Sequence, residues 1–158
     1  AFNALVETEV GDFRFNMVNS FTLSYEEQTG GKIVDTASWS GQPDFKSVAT
    51  VTWSIDNHSL AWNANYTDST SENEKFVALD DDGNKLDNPY YDISGKLDSW
   101  LIHNLTYTYD SGDLGSIRLT VNNLTDEDPV LNSSGQYDDA DLYNNYGREY
   151  RVNYTISF

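Results

Sequence analysis

Cysteine is absent from the 158 residues, which excludes a disulfide framework, a thiolate zinc site and a cysteine nucleophile, although it does not fix the compartment. Basic residues are scarce. Nine of them against 26 acids leave a formal charge of −17, the wrong sign for a nucleic-acid partner. Apolar runs are short, and none approaches the ~18 residues of a membrane helix. Ala1 to Val10 lacks the basic-then-apolar order of a signal peptide, so the chain is expected to be mature or a piece of something longer. Helical periodicity is missing too: no stretch of a dozen residues keeps a 3.6-residue apolar period through its Gly, Asn, Asp and Thr neighbours. Aromatic residues, by contrast, are plentiful, with 11 Tyr, 7 Phe and 4 Trp. Disordered chains lack them, so this one folds, at a length suited to a single domain.

What recurs is a period of two, the pattern of a strand with one apolar and one polar face. From Phe13 to Tyr25 the odd positions are mostly apolar, and the even positions, Arg14 to Ser24, are mostly polar. The same split runs through Phe45–Trp53, Leu60–Thr67, Asn104–Tyr109, Ile117–Asn122 and, without a break, Tyr150–Phe158. A weaker strand opens the chain, where Phe2, Ala4 and Val6 face away from Asn3, Glu7 and Glu9. Seven strands are therefore predicted. Short connections near Gly11, at Asp56 to His58 and at Asp110 to Gly115 alternate with long ones near 26–44, 68–98 and 126–146. In an antiparallel meander the two kinds lie at opposite ends of the sheet. The long segments carry −15 of the −17 charges.

A soluble β-sandwich also has one apolar and one polar face per strand. Three features favour lipid instead. The strands are near ten residues, as a tilted membrane strand requires, against the ~5 to 6 commonest in soluble sheets. Tyr25, Trp53, Trp62, Tyr66, Tyr109 and Tyr150 gather towards strand ends, where amphipathic rings meet a membrane boundary. The polar faces carry Asn, Thr, Ser and Arg, which suit a hydrated lumen. A sheet in a bilayer must pair every backbone group and so must close into a barrel. Seven strands are an odd count for a complete bacterial barrel. Either an eighth strand is hidden, for instance at Phe76 to Leu79, or the chain is part of a larger barrel.

The end of the sequence resembles the TonB-dependent receptors of the bacterial outer membrane. IRLTVNNLTDEDP (Ile117–Pro129) is similar to that family's penultimate strand, with Val121, Asn122, Asn123, Leu124 and Asp126 at its upper end. YNNYGREYRVNYTISF (Tyr143–Phe158) is similar to the final strand, opened by Gly147, Arg148 and Tyr150 and closed by Phe158. Gly11–Tyr25 and Ser99–Tyr109 look like earlier strands of the same barrel. The resemblance implies an all-β fold: an antiparallel transmembrane β-barrel segment, about seven meander strands of a barrel of about 22, with residues 1–158 as the C-terminal portion of the barrel domain. It implies an outer-membrane receptor in a Gram-negative bacterium that takes up a scarce nutrient, an iron–siderophore complex, cobalamin or an oligosaccharide. Its partners would be outer-membrane lipid, a TonB-type energy-coupling complex reached through a plug absent from these residues, and the barrel-assembly machinery. Tyr150, Val152, Tyr154, Ile156 and Phe158 are similar to the assembly signal of such barrels.

Other motifs carry less. Asp80, Asp81, Asp82, Gly83, Asn84 and Asp87 cluster oxygens suited to calcium, but their spacing departs from an EF-hand loop and a solvated loop is expected. Six Asn-x-Ser/Thr sequons, at Asn57, Asn65, Asn104, Asn123, Asn132 and Asn153, follow from Asn and Thr sharing inward positions or turns. His58 and His103 are separated and form neither a metal site nor a triad. Arg14, Lys46, Arg118 and Arg151 point inward, expected to pair with acids of a plug or the opposite wall. Trp39, Tyr90 and Tyr91 are loop aromatics, anchors or stacking platforms. No catalytic residue, cofactor or metal is expected, and no enzyme activity. The rival readings are a complete small outer-membrane barrel with a structural or adhesive role and a soluble carbohydrate-binding sandwich.

Overall fold

Alternating β-branched, aromatic and Asn/Thr residues, broken by Gly and Asp, produce strands throughout. The computed structural model describes residues 1–29, 32–35, 37–38, 42–71, 96–131, 143 and 146–156. Within these lie β1 (Phe2–Thr8), β2 (Gly11–Phe21), β3 (Glu26–Thr29), β4 (Lys32–Asp35), β5 (Phe45–Ile55), β6 (His58–Thr67), β7 (Thr70–Ser71), β8 (Lys96–Leu97), β9 (Trp100–Asp110), β10 (Ser116–Asn122) and β11 (Glu149–Thr155). Seven strands form one antiparallel sheet in the order β1-β2-β5-β6-β9-β10-β11. The hairpins β3-β4 and β7-β8 decorate the long connections. Among the described residues no helix is long and apolar enough to cross a membrane.

The sheet is a meander with two free borders, β1 and β11. This removes a closed seven-stranded barrel; Phe76 to Leu79 lie outside the described residues. The sandwich fails for a different reason. The accessible surface is 11130 Å², roughly 3000 Å² above the ~8000 Å² expected for a folded monomer of this mass. Among the described residues no second sheet covers the apolar face, and Leu119, Val152 and Tyr154 lie exposed on it.

Register explains that face. Val6, Phe13, Trp53, Leu60, Tyr107, Leu119 and Val152 align across the seven strands as one row, and Ala4, Phe15, Val51, Trp62, Leu105, Val121 and Tyr150 as the next. A one-residue slip would turn a strand's apolar set to the other face. Two-residue turns at Glu9-Val10 and Asp56-Asn57 hold the register.

At the short-turn end, aromatic side chains tie down the turns. Trp53 Nε1 donates to Val10 O (2.8 Å), Tyr154 OH donates to Leu114 O (2.8 Å), and His58 Nδ1 lies 2.7 Å from Tyr107 OH. At the other end Phe21, Phe45 and Tyr66 form a chain of tilted rings 4.9 and 5.8 Å apart. From His58 to Tyr66 is ~26 Å along the strand, or ~20 Å after the ~40° tilt of a barrel strand, close to the ~25 Å apolar band of outer-membrane barrels. Trp62 departs from the sequence expectation. It sits in mid-strand, stacked on His103 at 5.5 Å, rather than at a strand end.

Two boundaries also differ. β2 stops at Phe21 instead of reaching Tyr25; Thr22 N still donates to Asp44 O (2.9 Å), in line with the β2–β5 register, and the strand does not continue beyond it. β11 ends at Thr155, leaving Ile156 beyond the ladder.

Candidate functional site

The inner face carries polar rows at matching heights. Asn3, Asn16, Thr50, Asn63 and Asn104 align across β1, β2, β5, β6 and β9. Their amides bond to one another: Asn16 Nδ2 to Asn3 Oδ1 (2.5 Å), Asn63 Nδ2 to Thr50 Oγ1 (3.0 Å), Asn104 Nδ2 to Asn63 Oδ1 (3.3 Å). Asn65, one row higher, donates to Asn63 Oδ1 at 2.7 Å. Threonines extend the pattern, with Thr106 and Thr120 hydroxyls 3.3 Å apart. Each row thus spans several strands as a pre-ordered polar track.

Above it, nearer the long connections, the wall changes character. Val18, Val48, Asn65 and Ile102 align in one row, then Ser20, Lys46, Thr67 and Trp100. Val18 and Val48 are 47% and 40% exposed, an apolar pair on an otherwise polar face. Trp100 and Ile102 are buried against Tyr143 and Val130, which belong to the β10–β11 connection folded back onto the inner wall. Trp100 meets Tyr143 edge-on at 5.5 Å and donates from Nε1 to Asp128 O (3.0 Å). Sequence reasoning missed this cluster. Its only signal was Trp100 and Ile102 occupying inward positions where polar residues were expected.

The motif residues at the ends of β10 and β11 converge. Asn123, 4% exposed and with φ of 53°, donates from Nδ2 to Glu127 O and accepts from Glu127 N, both at 2.8 Å. Its backbone N–H donates to Asn104 Oδ1 (2.9 Å), and Leu124 N donates to His103 O (2.6 Å). Asp126 Oδ1 accepts from Arg148 N at 2.9 Å, with its other oxygen 3.9 Å from the guanidinium. Gly147 lies so close that a Cβ there would meet Asp126 Oδ1 at 3.3 Å. Asn122 Nδ2 donates to Glu149 Oε2 at 3.4 Å, and Val121 pairs with Tyr150. Hydrogen bonding to Tyr150, then the Asp126 charge, raises the Arg148 guanidinium above its ordinary value. The chemistry here is that of a strand-end clasp: it orders backbone and holds no reactive group.

Of the assembly-signal residues, Tyr150, Val152 and Tyr154 stand exposed on the outer face of β11 and Ile156 follows it; Phe158 lies outside the described residues. Among the inward cations, Arg151 pairs with Glu149 at 3.4 Å, while Arg14, Lys46 and Arg118 form no ion pair among the described residues. His103 faces outward, and its buried Nδ1 has no hydrogen-bond partner among the described residues. No three metal-ligating side chains gather among the described residues. Asp80 to Asp87, Trp39, Tyr90 and Tyr91 lie outside them.

No protein-family model matches the sequence, and no curated protein matches it. Solved structures do. Three chains of the ferric enterobactin receptor PfeA of Pseudomonas aeruginosa superpose on 95% of this chain. One is a single mutant (TM-score 0.58, 16% identity), one a double mutant (0.59, 17%), and one a single mutant in complex with enterobactin (0.59, 16%). The fold is that of a receptor barrel's wall. The chain spans about a fifth of each receptor's length, 20–21%. The all-β, seven-stranded barrel segment expected from the sequence is thereby matched in three dimensions, and the resemblance drawn from the end motifs agrees with it. The neighbours are receptors rather than enzymes.

Proposed function

We propose that this chain forms the C-terminal part of the barrel of an outer-membrane, TonB-dependent receptor for uptake of a scarce small molecule. The observation that carries the reading is the open seven-stranded meander with an uncovered apolar outer face and a hydrogen-bonded polar inner one. In a bilayer its borders need further strands, which are supplied by the rest of a ~22-stranded barrel. Long acidic connections then face the exterior and short turns the periplasm. Uptake is driven by an inner-membrane energy-coupling complex acting on a plug carried elsewhere in the receptor. Outer-membrane lipid covers Phe21, Val51, Leu119 and Ile156. The barrel-assembly machinery reads the outward residues of β11 together with Phe158.

The test places single cysteines in this cysteine-free segment, any cysteine elsewhere in the receptor being replaced first. In the full receptor in native outer membranes, reporters at Leu119→Cys and Val51→Cys are expected to be quenched by lipid-soluble agents. Reporters at Thr120→Cys and Thr50→Cys are expected to answer to aqueous ones. Water or protein around the first pair overturns the membrane reading. Energised uptake is checked separately: collapsing the inner-membrane proton gradient should abolish accumulation of ligand while leaving its binding to the receptor intact.

A further inference from the structure

We infer that residues 123–131, the leg of the β10–β11 connection that follows β10, are a fixed strap on the wall and not a lid, and that Asn104 is the positioning residue that latches them to the inward amide row. The strap's geometry stands by itself; only its place at the outer mouth rests on the receptor reading. A segment leaving a strand swings freely when its backbone groups turn to water. Here they are held. Asn123 N donates to Asn104 Oδ1 (2.9 Å), Leu124 N to His103 O (2.6 Å), Asp126 N to Asn123 O (3.0 Å) and Glu127 N to Asn123 Oδ1 (2.8 Å). Farther along, Asp128 O takes the Trp100 indole N–H (3.0 Å), and Val130 packs on the buried Trp100 and Ile102. Asn104 and Trp100 share the inward face of β9, so one strand grips the strap at points ~13 Å apart. The returning leg is tied in as well, through Arg148 N to Asp126 Oδ1 (2.9 Å).

Asn104 can do this in one orientation only. A backbone N–H needs an acceptor, so the amide oxygen must face Asn123, which leaves Nδ2 to donate to Asn63 Oδ1 (3.3 Å). A half-turn of the amide would set donor against donor at Asn123 and acceptor against acceptor at Asn63. Strap and amide row therefore hold each other in place. Asn63 in turn donates to Thr50 Oγ1 (3.0 Å), so the order runs unbroken from the inner wall out to the connection. A contact that claims the Asn104 oxygen from the inner side has to release the Asn123 N–H, and the strap then keeps only its Trp100 hold on β9 side chains.

The experiment is hydrogen exchange on the full receptor in micelles, read by mass spectrometry over 122–131, with heat-modifiable migration as the check that the barrel is intact. In the parent receptor the amides of Asn123, Leu124, Asp126 and Glu127 are expected to be protected as β10 is. Asn104→Ala removes the acceptor and should speed their exchange about tenfold or more, the scale of one lost bond with its donor left bare, whereas Asn104→Asp keeps an oxygen for Asn123 N and should stay within about threefold of the parent. If these amides exchange like a free loop in the parent, or Asn104→Ala leaves them unchanged, or Asn104→Asp frees them as fully as Asn104→Ala, the inference falls and the receptor reading stands. Should Asn104→Ala not assemble, Trp100→Phe carries the test, since it removes only the indole donor: exchange over 126–131 is expected to quicken, and unchanged rates there reject the strap equally. Failure of the receptor reading shows differently, as absence of a heat-modifiable barrel from outer membranes.

Discussion

Asn123 shows how one side chain ends a strand and begins a loop. Its amide closes a reciprocal pair with Glu127, and its left-handed φ lets the chain leave the ladder at once. Asn123→Ala should cost about 2–3 kcal/mol, from two hydrogen bonds at ~1 kcal/mol net each and up to ~1 kcal/mol because alanine, unlike asparagine, has no local side-chain hydrogen bond to offset the left-handed backbone. Asn123→Gly keeps the backbone conformation and should be the milder by about 1 kcal/mol. Urea titration of the folded receptor in micelles reads both, and an alanine variant no worse than the glycine one would refute the role assigned to φ. The neighbouring Asp126–Arg148 contact is exposed on both sides and contributes little by itself; Asp126 matters as the acceptor for the Arg148 backbone. None of this geometry was legible in NNLTDEDP taken as composition. The resemblance marked those residues, but only coordinates show that their work is backbone capture.

Among the elements, two neighbouring glycines of the β9–β10 turn make opposite demands. A Cβ on Gly115 would lie 2.0 Å from Thr155 O, whereas one on Gly112 meets nothing within 4 Å; both have positive φ. Gly112→Ala is expected to cost only ~1 kcal/mol of backbone strain. Gly115→Ala must push the end of β11 away and should cost several-fold more, or stop assembly; equal yields of folded barrel from the two variants would contradict this register. On the strands, Leu119→Arg places a cation on the apolar face and should lose about 2–4 kcal/mol in bilayers. Thr120→Arg, one residue on and facing inward, should lose under ~1 kcal/mol by the same unfolding titration. Period-two alternation made all seven strands legible, because burial on one face leaves a mark at every second position. The ends were less so. Leu23 and Tyr25 continue the alternation, yet β2 stops at Phe21 and its pairing with the β5 side ends with the Thr22–Asp44 bond, so alternation outlasts the ladder that would use it. Trp62 looked like a boundary ring, but its depth is set by pairing with Val51 and Leu105, which no local pattern encodes.

At the scale of the molecule, accessible surface decided between readings that alternation alone left open. Water-soluble sandwiches and membrane walls write the same strand pattern; they differ in whether anything covers the apolar face. Here nothing among the described residues does. Released into aqueous buffer without detergent, the 158 residues should fail to give a monodisperse species by size exclusion, and a cooperatively folding monomer would argue for a missing layer instead. The lumen, by contrast, was only half legible: Asn and Thr at inward positions announced a hydrated wall, but the inward fold of Tyr143 and Val130 onto Trp100 depends on a connection whose path has no periodicity.

The two bare borders have a further consequence. Among the described residues β1 and β11 each present a column of unspent amide and carbonyl groups, and the side chains beside them share one parity of greasy and wet faces. Such a tile is its own template. Deprived of lipid, copies are expected to zip flank to flank into ribbons, and fibre diffraction should then show the ~4.7 Å meridional spacing of stacked strands.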